Sequence, residues 1–288
     1  MEKSPERIKL IKKMDEYEKL GLFDKDINDD PETYELLPDQ IDYLHKKLKT
    51  KILTHLALRA GGKFFRGQEK AGNLIIKEIV GTENLKGVKG AVVTCNHFSP
   101  FDNYVILKGL MPSLKKGRYY KVIREGNYTN PPKEFAFLMK YGDTLPLSSN
   151  HNTMRKFLDS LKVLLNRGEK VLVYPEQSLW YNYRKPKPLK NGAYNFAISN
   201  NVPILPLFVT MEDTEKLDPD GFPIQAYTVH ILPPIYAKEE LSKPENIKYM
   251  RDLNYEMWVK TYEDFYKQPL VYLKNDETSN DEVSSNES

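Results

Sequence analysis

The stretch Gly90-Ala91-Val92-Val93-Thr94-Cys95-Asn96-His97-Phe98-Ser99-Pro100-Phe101-Asp102 sets the reading of the whole chain. Its first six residues form a short apolar run of the kind that makes a buried strand. Ser99 suits a helix N-cap and Pro100 a first helical position, so a helix follows at once. That places His97 on the loop leaving a strand end and Asp102 in the first turn of the next helix. In α/β proteins the carboxyl edge of the strands is where binding crevices form. A histidine there can take and return a proton at neutral pH, and a carboxylate on its second nitrogen would fix the tautomer. The same spacing also suits plain capping, with Asp102 reaching back to Ser99 and His97 an ordinary loop residue.

Outward from this stretch, short apolar runs alternate with helical patterns. Strands are expected at Leu74–Val80, Ala91–Cys95, Tyr119–Ile123, Thr144–Leu147, Val171–Tyr174, Val202–Thr210 and Tyr227–Leu232. Helices are expected at Asp102–Leu110, Glu134–Lys140, Thr153–Asn166, Lys190–Ser199 and Leu241–Tyr266. The pattern predicts an α/β fold with a mixed, partly parallel sheet flanked by helices. Before it, Ile41, Leu44, Leu48, Ile52 and Leu56 fall on one helical stripe, which predicts a helix over Ile41–Arg59 stopped by Gly61-Gly62. Lys46, Lys47, Lys49, Lys51 and Arg59 crowd its other positions. Such a basic amphipathic helix either lies on an anionic bilayer or packs its leucines on the domain with its lysines in solvent. The chain divides into a helical segment 1–70, an α/β body 71–273 and an acidic, low-complexity tail 274–288 expected to be disordered.

Composition narrows the function classes. The 288 residues carry a net charge of +3, with 40% apolar and 29% charged residues. The last fifteen residues hold one base and five acids, a net −4 that leaves +7 on the body. A basic body suits an anionic partner such as a membrane surface or an acidic carrier protein. The aromatic residues are scattered, so no nucleic-acid signature stands out. No apolar run approaches the roughly 18 residues of a membrane span, and the N-terminus lacks a signal-peptide core. These features predict a cytoplasmic protein. One cysteine, Cys95, excludes an internal disulfide. His45, His55, His151 and His230 lack ligand-like spacing, so no metal site is expected. Neither a Walker-type phosphate loop nor a Gly-x-Ser-x-Gly elbow is present.

A second constellation, Tyr174-Pro175-Glu176-Gln177-Ser178, also follows a strand. Glu176 there suits hydroxyl binding, or a solvated turn. The run from Trp180 to Lys190 mixes aromatics with Arg184, Lys185, Lys187 and Lys190, which suits phosphate oxygens or lipid headgroups, or a solvated loop.

Together these motifs resemble the glycerolipid acyltransferase family that includes lysophosphatidate acyltransferases. The family's Asn-His-x-x-x-x-Asp is matched by Asn96, His97 and Asp102, and its approach to that motif by Val80-Gly81-Thr82-Glu83-Asn84-Leu85. Its Phe-Pro-Glu-Gly-Thr-Arg is represented by Tyr174-Pro175-Glu176-Gln177-Ser178-Leu179. Lys190-Asn191-Gly192-Ala193 and Val202-Pro203-Ile204-Leu205-Pro206 match the features that follow. The resemblance covers residues 74–236. It implies that His97 is a general base oriented by Asp102, acting on an acceptor hydroxyl that attacks an acyl thioester. It implies no bound cofactor, with acyl-CoA or acyl carrier protein as co-substrate. It also implies a membrane-docking role for the N-terminal helices, with Lys46, Lys47, Lys51, Leu48, Ile52 and Leu56 in contact with lipid. Peripheral association with the inner face of the membrane follows. Glu176, Gln177 and Ser178 would line the acceptor site. Two phosphate-binding arginines of the family are missing here: Leu179 replaces one, and the second-motif region Gly142–Ser148 holds none. Arg184, Lys185, Lys187, Lys121 and Arg124 are the candidate substitutes. Otherwise the acceptor is a lysophospholipid or glycolipid other than lysophosphatidate.

Overall fold

The structure, a computed structural model, describes residues 2–28, 32–114 and 117–274. Two helices come first, α1 (Pro5–Lys19) and α2 (Leu48–Lys70). The body then runs β1 (Ile75–Val80), β2 (Ala91–Thr94), α3 (Asp102–Leu110), β3 (Tyr120–Ile123), α4 (Glu125–Thr129), α5 (Ala136–Tyr141), β4 (Thr144–Pro146), α6 (His151–Asn166), β5 (Lys170–Val173), α7 (Gly192–Ser199), β6 (Ile204–Leu217), β7 (Pro223–Ile231) and α8 (Lys243–Tyr266). The seven strands lie in the order β1-β7-β6-β2-β5-β3-β4. Among the described residues only β6 and β7 run antiparallel; β2 is parallel to both its neighbours, β6 and β5. The mixed, partly parallel α/β sheet expected from the sequence is therefore present.

Period-two burial sends alternate residues of the central strands to opposite faces. Val92, Val171, Ile204 and Phe208 meet α6 and α8 through Leu161, Leu164, Trp258 and Tyr262. Ala91, Val93, Leu172, Leu205 and Val209 meet α3 through Tyr104, Val105, Ile106 and Leu110. The strands are short apolar runs because both faces are covered. The parallel pairing of β6, β2, β5 and β3 gathers their carboxyl ends, and the loops that leave them, at one edge.

Several boundaries differ from the sequence expectations. The hairpin is longer than its apolar part: β6 continues past Thr210 to Leu217, paired with a β7 that starts at Pro223. The end of β6 from Glu212 is largely exposed and polar, so hydrophobicity does not mark it, while Ile224 and Ala226 of β7 are buried. The helix expected over Ile41–Arg59 starts at Leu48 instead. Ile41 and Tyr43 sit in the core on the α6 side. The Asp42 carboxylate accepts the Lys46 and Lys47 amides at 2.9 and 2.8 Å, and His45 takes a left-handed φ of 52°. The chain thus turns where the apolar spacing suggests it continues. Nor do Gly61 and Gly62 end α2, which runs on to Lys70. Gly61 is a close approach: a Cβ there would meet Leu138 of α5 at 2.8 Å.

Residues 1–70 do not form a separate unit. Met14 and Ile27 pack on Trp180 of the loop after β5, Leu36 and Ile41 enter the main core, and α2 lies on α5. From residue 275 on, the acidic tail lies outside the described residues.

Candidate active site

The helix after β2 runs over Asp102–Leu110 as expected, with Phe101 rather than Ser99 at its N-cap. Ser99 still organises the turn: its hydroxyl accepts the Phe101 amide at 3.1 Å, and its carbonyl accepts the Asp102 amide at 3.1 Å. Asn96 clamps the loop to β6 from the other side. Its amide donates to the Val209 carbonyl at 3.0 Å and its oxygen accepts the Val209 N–H at 2.8 Å. These bonds aim His97 and Asp102 at each other, with His97 Nδ1 2.5 Å from Asp102 Oδ2. The carboxylate is wholly buried, whereas 24% of the His97 side chain is open. With Nδ1 committed to Asp102, Nε2 is the nitrogen left to face a substrate.

Tyr174, at the end of β5, completes this pair. Its ring stacks on the imidazole at a centroid distance of 3.9 Å and an interplanar angle of 13°. Its hydroxyl donates to the second Asp102 oxygen, Oδ1, at 2.7 Å. Burial, with the Asp102 charge beside it, holds the phenol far above its ordinary pKa, so it stays a donor. The resembled motif gives Tyr174 no role. The signal was there: a hydroxyl stands where the resembled motif has phenylalanine.

Glu176 takes a different position from the acceptor contact the motif implies. It is buried, and its oxygens accept the His97 amide at 3.1 Å and the Lys187 amide at 2.9 Å. Lys187 Nζ lies 3.5 Å away, also buried. Burial raises the Glu176 pKa and lowers that of Lys187, so desolvation acts against both charges. Glu176 therefore joins the loop after β5 to the backbone of the His97 loop.

Ser178 is likewise turned inward, donating to the Phe23 carbonyl at 2.5 Å and accepting from Lys187 Nζ at 2.7 Å. Gln177 is exposed with a left-handed φ of 63°, the conformation that explains the glycine usual at this point of the motif. The bases beyond it are engaged within the chain. Arg184 donates to Asp213 at 2.7 Å on the β6–β7 hairpin, and Lys185 to Glu18 of α1 at 2.6 Å. Lys190 pairs with Asp24 at 3.0 Å. The run read as a phosphate or headgroup loop is instead the seat of the N-terminal segment. Trp180 anchors it further, its indole N–H donating to the Lys25 carbonyl at 2.8 Å.

Two more candidate cations lie on and just past β3. Lys121 lies over the Tyr119 ring at 4.8 Å, and burial lowers its pKa to about 8. Arg124, just past β3, donates to the Gln177 carbonyl and reaches Asp26 at 2.6 Å. The site thus offers a histidine whose Nε2 is left for a substrate and a buried carboxylate behind it. This is general-base chemistry on a hydroxyl or similar nucleophile.

Away from this edge, α2 carries large apolar side chains outward. Leu48, Ile52, Leu56 and Phe64 are 72%, 51%, 49% and 43% exposed, while the buried positions are the small Thr54, Ala57 and Gly61. Lys46, Lys47 and Lys51 are exposed beside them. A helix that packed its leucines on the domain would show the reverse. Among the described residues, no helix is long and apolar enough to cross a membrane.

Comparison with known proteins bears on the segment that holds these residues. The model of the family described as Acyltransferase matches residues 77–210, which span β1 to β6 and hold His97, Asp102 and Tyr174. This segment is an acyltransferase-family domain. Among solved structures, the chain is similar to the crystal structure of the 1-acyl-sn-glycerophosphate (LPA) acyltransferase, PlsC, from Thermotoga maritima. The two are 18% identical over 80% of this chain and 87% of that one, with a TM-score of 0.47. No curated protein matches the chain in sequence.

Proposed function

We propose that this acyltransferase moves a fatty acyl group from a thioester, acyl-CoA or acyl carrier protein, to a hydroxyl of a lysophospholipid or related lipid. The observation that carries the reading is the buried Asp102 on Nδ1 of a half-open His97 within the matched domain. His97 Nε2 takes the proton of the acceptor hydroxyl as its oxygen bonds to the thioester carbonyl carbon. The C–S bond then breaks, and the imidazolium returns that proton to the departing sulfur. Asp102 stabilises the imidazolium between the two steps. The reaction uses no bound cofactor.

The acceptor divides this reading. The resemblance implies 1-acylglycerol-3-phosphate and a place in phospholipid biosynthesis. A second acceptor class, another lysolipid or a glycolipid, is favoured by the engagement of Arg184, Lys185 and Lys187 within the chain. Docking on an anionic membrane surface, at the inner face, is supported by the apolar and basic exterior of α2. There each base near the surface contributes about 1 kcal/mol.

Purified protein incubated with acyl-CoA, or acyl carrier protein loaded with a fatty acid, and a panel of lysolipids tests the proposal. Acyl transfer to at least one acceptor is expected, with folded His97→Ala at least ~100-fold slower. Absence of transfer to any acceptor, or transfer undiminished in His97→Ala, rejects it. Binding to anionic vesicles without turnover, unaffected by His97→Ala, identifies a non-catalytic lipid-binding protein instead.

A further inference from the structure

Two donors in segments bonded to the His97 loop converge on one point, and the chain meets them with a carboxylate of its own. Arg124 Nη1 lies 2.6 Å from Asp26 Oδ2, and the Leu179 amide donates to Asp26 Oδ1 at 2.5 Å. Each donor is tied to the His97 loop within a residue. Arg124 also donates to the carbonyl of Gln177, the neighbour of Glu176, whose carboxylate accepts the His97 amide. Leu179 precedes Trp180, whose amide donates to the His97 carbonyl at 3.2 Å. The place is within solvent reach, with 40% of the Arg124 side chain and 19% of that of Asp26 open.

A guanidinium and a backbone N–H aimed at one point form the donor set that a phosphate takes. In a 1-acylglycerol-3-phosphate, the reacting hydroxyl and the phosphate are separated by two carbons and an ester oxygen. With that hydroxyl on His97, the phosphate stays within a few bonds of the imidazole, at the edge to which the ties of Arg124 and Leu179 to the His97 loop bring these donors. Asp26 already occupies them. It neutralises the guanidinium, takes the amide hydrogen and sets a negative charge where a dianion would have to sit. An acceptor carrying a phosphomonoester would thereby be repelled, and one without it would meet a guanidinium that already has a carboxylate partner.

We propose that Asp26 is a specificity-determining residue for the reaction proposed above, on which this inference rests. By filling an anion niche with its own carboxylate, the chain selects lysolipids or glycolipids in which no phosphomonoester flanks the reacting hydroxyl. The carboxylate comes from the segment after α1, which Trp180, Ser178 and Lys190 bind from the loop after β5. Acceptor choice is therefore set by the seating of the N-terminal segment as well as by the loops of the sheet.

The test compares kcat/KM for 1-acylglycerol-3-phosphate and for monoacylglycerol, with one acyl donor, in the wild type, Asp26→Asn and Asp26→Ala. Asn retains an oxygen for the Leu179 amide, so it removes the charge with the tie to the loop kept. The wild type is expected to favour monoacylglycerol. Either variant should raise the ratio for the phosphate-bearing acceptor by roughly tenfold or more, and Arg124→Ala added to it should cancel the gain. Titration calorimetry with inorganic phosphate reads the niche without turnover. Phosphate should bind Asp26→Ala measurably tighter than the wild type or the double variant. A wild type that prefers 1-acylglycerol-3-phosphate overturns the proposal. So do folded Asp26 variants with an unchanged ratio, or with unchanged phosphate affinity. If no acceptor is turned over, the acyl-transfer reading fails by itself, and the phosphate titration alone decides whether Asp26 fills an anion site.

Discussion

The loop after β2 and the loop after β5 each carry a buried carboxylate to the same edge of the sheet, and they use it differently. Asp102 bonds to side chains, the His97 ring and the Tyr174 hydroxyl. Glu176 bonds to backbone, the His97 and Lys187 amides. A carboxylate facing a ring nitrogen shapes chemistry, because it controls the tautomer and the stability of the imidazolium. A carboxylate facing amides shapes the chain, because it fixes where two loops run. Both carboxylates are fully buried, so neither can be traded for water without loss. Burial alone does not say what a carboxylate does; the atoms it bonds to do.

This contrast breaks most sharply at Asp102. Asp102→Asn keeps the volume but presents an N–H or a weaker acceptor to Nδ1, which favours the wrong tautomer. Activity should fall by about 10³–10⁴-fold with the melting temperature little changed. Glu176→Gln should do the reverse. Its amide can accept only one of the two backbone N–H groups, and Lys187 loses its buried counter-charge. A loss of about 3 kcal/mol in stability is expected, read by denaturant unfolding. If Glu176 touches the acceptor instead, Glu176→Gln will raise KM while leaving unfolding unmoved, and the two loops will have to be read alike.

The sequence carries one loop far better than the other, for a physical reason. His97 and Asp102 are five residues apart, on a strand end and the helix it feeds, so local rules bring them together. The parallel strands are legible because burial on both faces makes them short apolar runs. The loop after β5 depends on partners remote in the chain: Asp26 is 153 residues from Leu179, and Glu18 is 167 from Lys185. Its bases look available for phosphate because the acids that meet them, Glu18, Asp24 and Asp213, are not near them in the sequence. The start of α2 is misplaced for a related reason. Ile41 and Leu44 extend the apolar stripe of the helix, but they serve the core on the other side of a turn that Asp42 stabilises. Only the outward Leu48, Ile52 and Leu56 belong to the helix.

Tyr174 belongs to both loops, leaving β5 yet bonded to Asp102, and tests whether the contrast is complete. Tyr174→Phe keeps the ring on His97 and removes one hydrogen bond to a buried carboxylate. A fall of about tenfold in kcat is expected, ~1.4 kcal/mol, with KM unchanged because the hydroxyl faces Asp102 and not the acceptor. In an Asp102→Asn background the same change should have little further effect, since the two act through one bond. Equal losses in both backgrounds would make Tyr174 a packing residue only.

The smallest effect is at Gln177, where the second loop bears its own cost. A left-handed φ of 63° in a residue with a Cβ is disfavoured by about 1–2 kcal/mol relative to right-handed backbone. Gln177 is exposed, and its carbonyl, which any residue supplies, is the atom that Arg124 uses. Glycine relieves the strain but adds freedom to the unfolded chain, worth about 0.4–1 kcal/mol in the other direction. Gln177→Gly should therefore stabilise by about 0.5 kcal/mol, a rise of ~1–2 °C in melting temperature. Gln177→Ala, which keeps the Cβ, should change nothing. If Gln177→Gly melts higher yet acylates more slowly, the glutamine side chain contacts the acceptor. The strain is then retained for catalysis, and the second loop shares in the chemistry of the first.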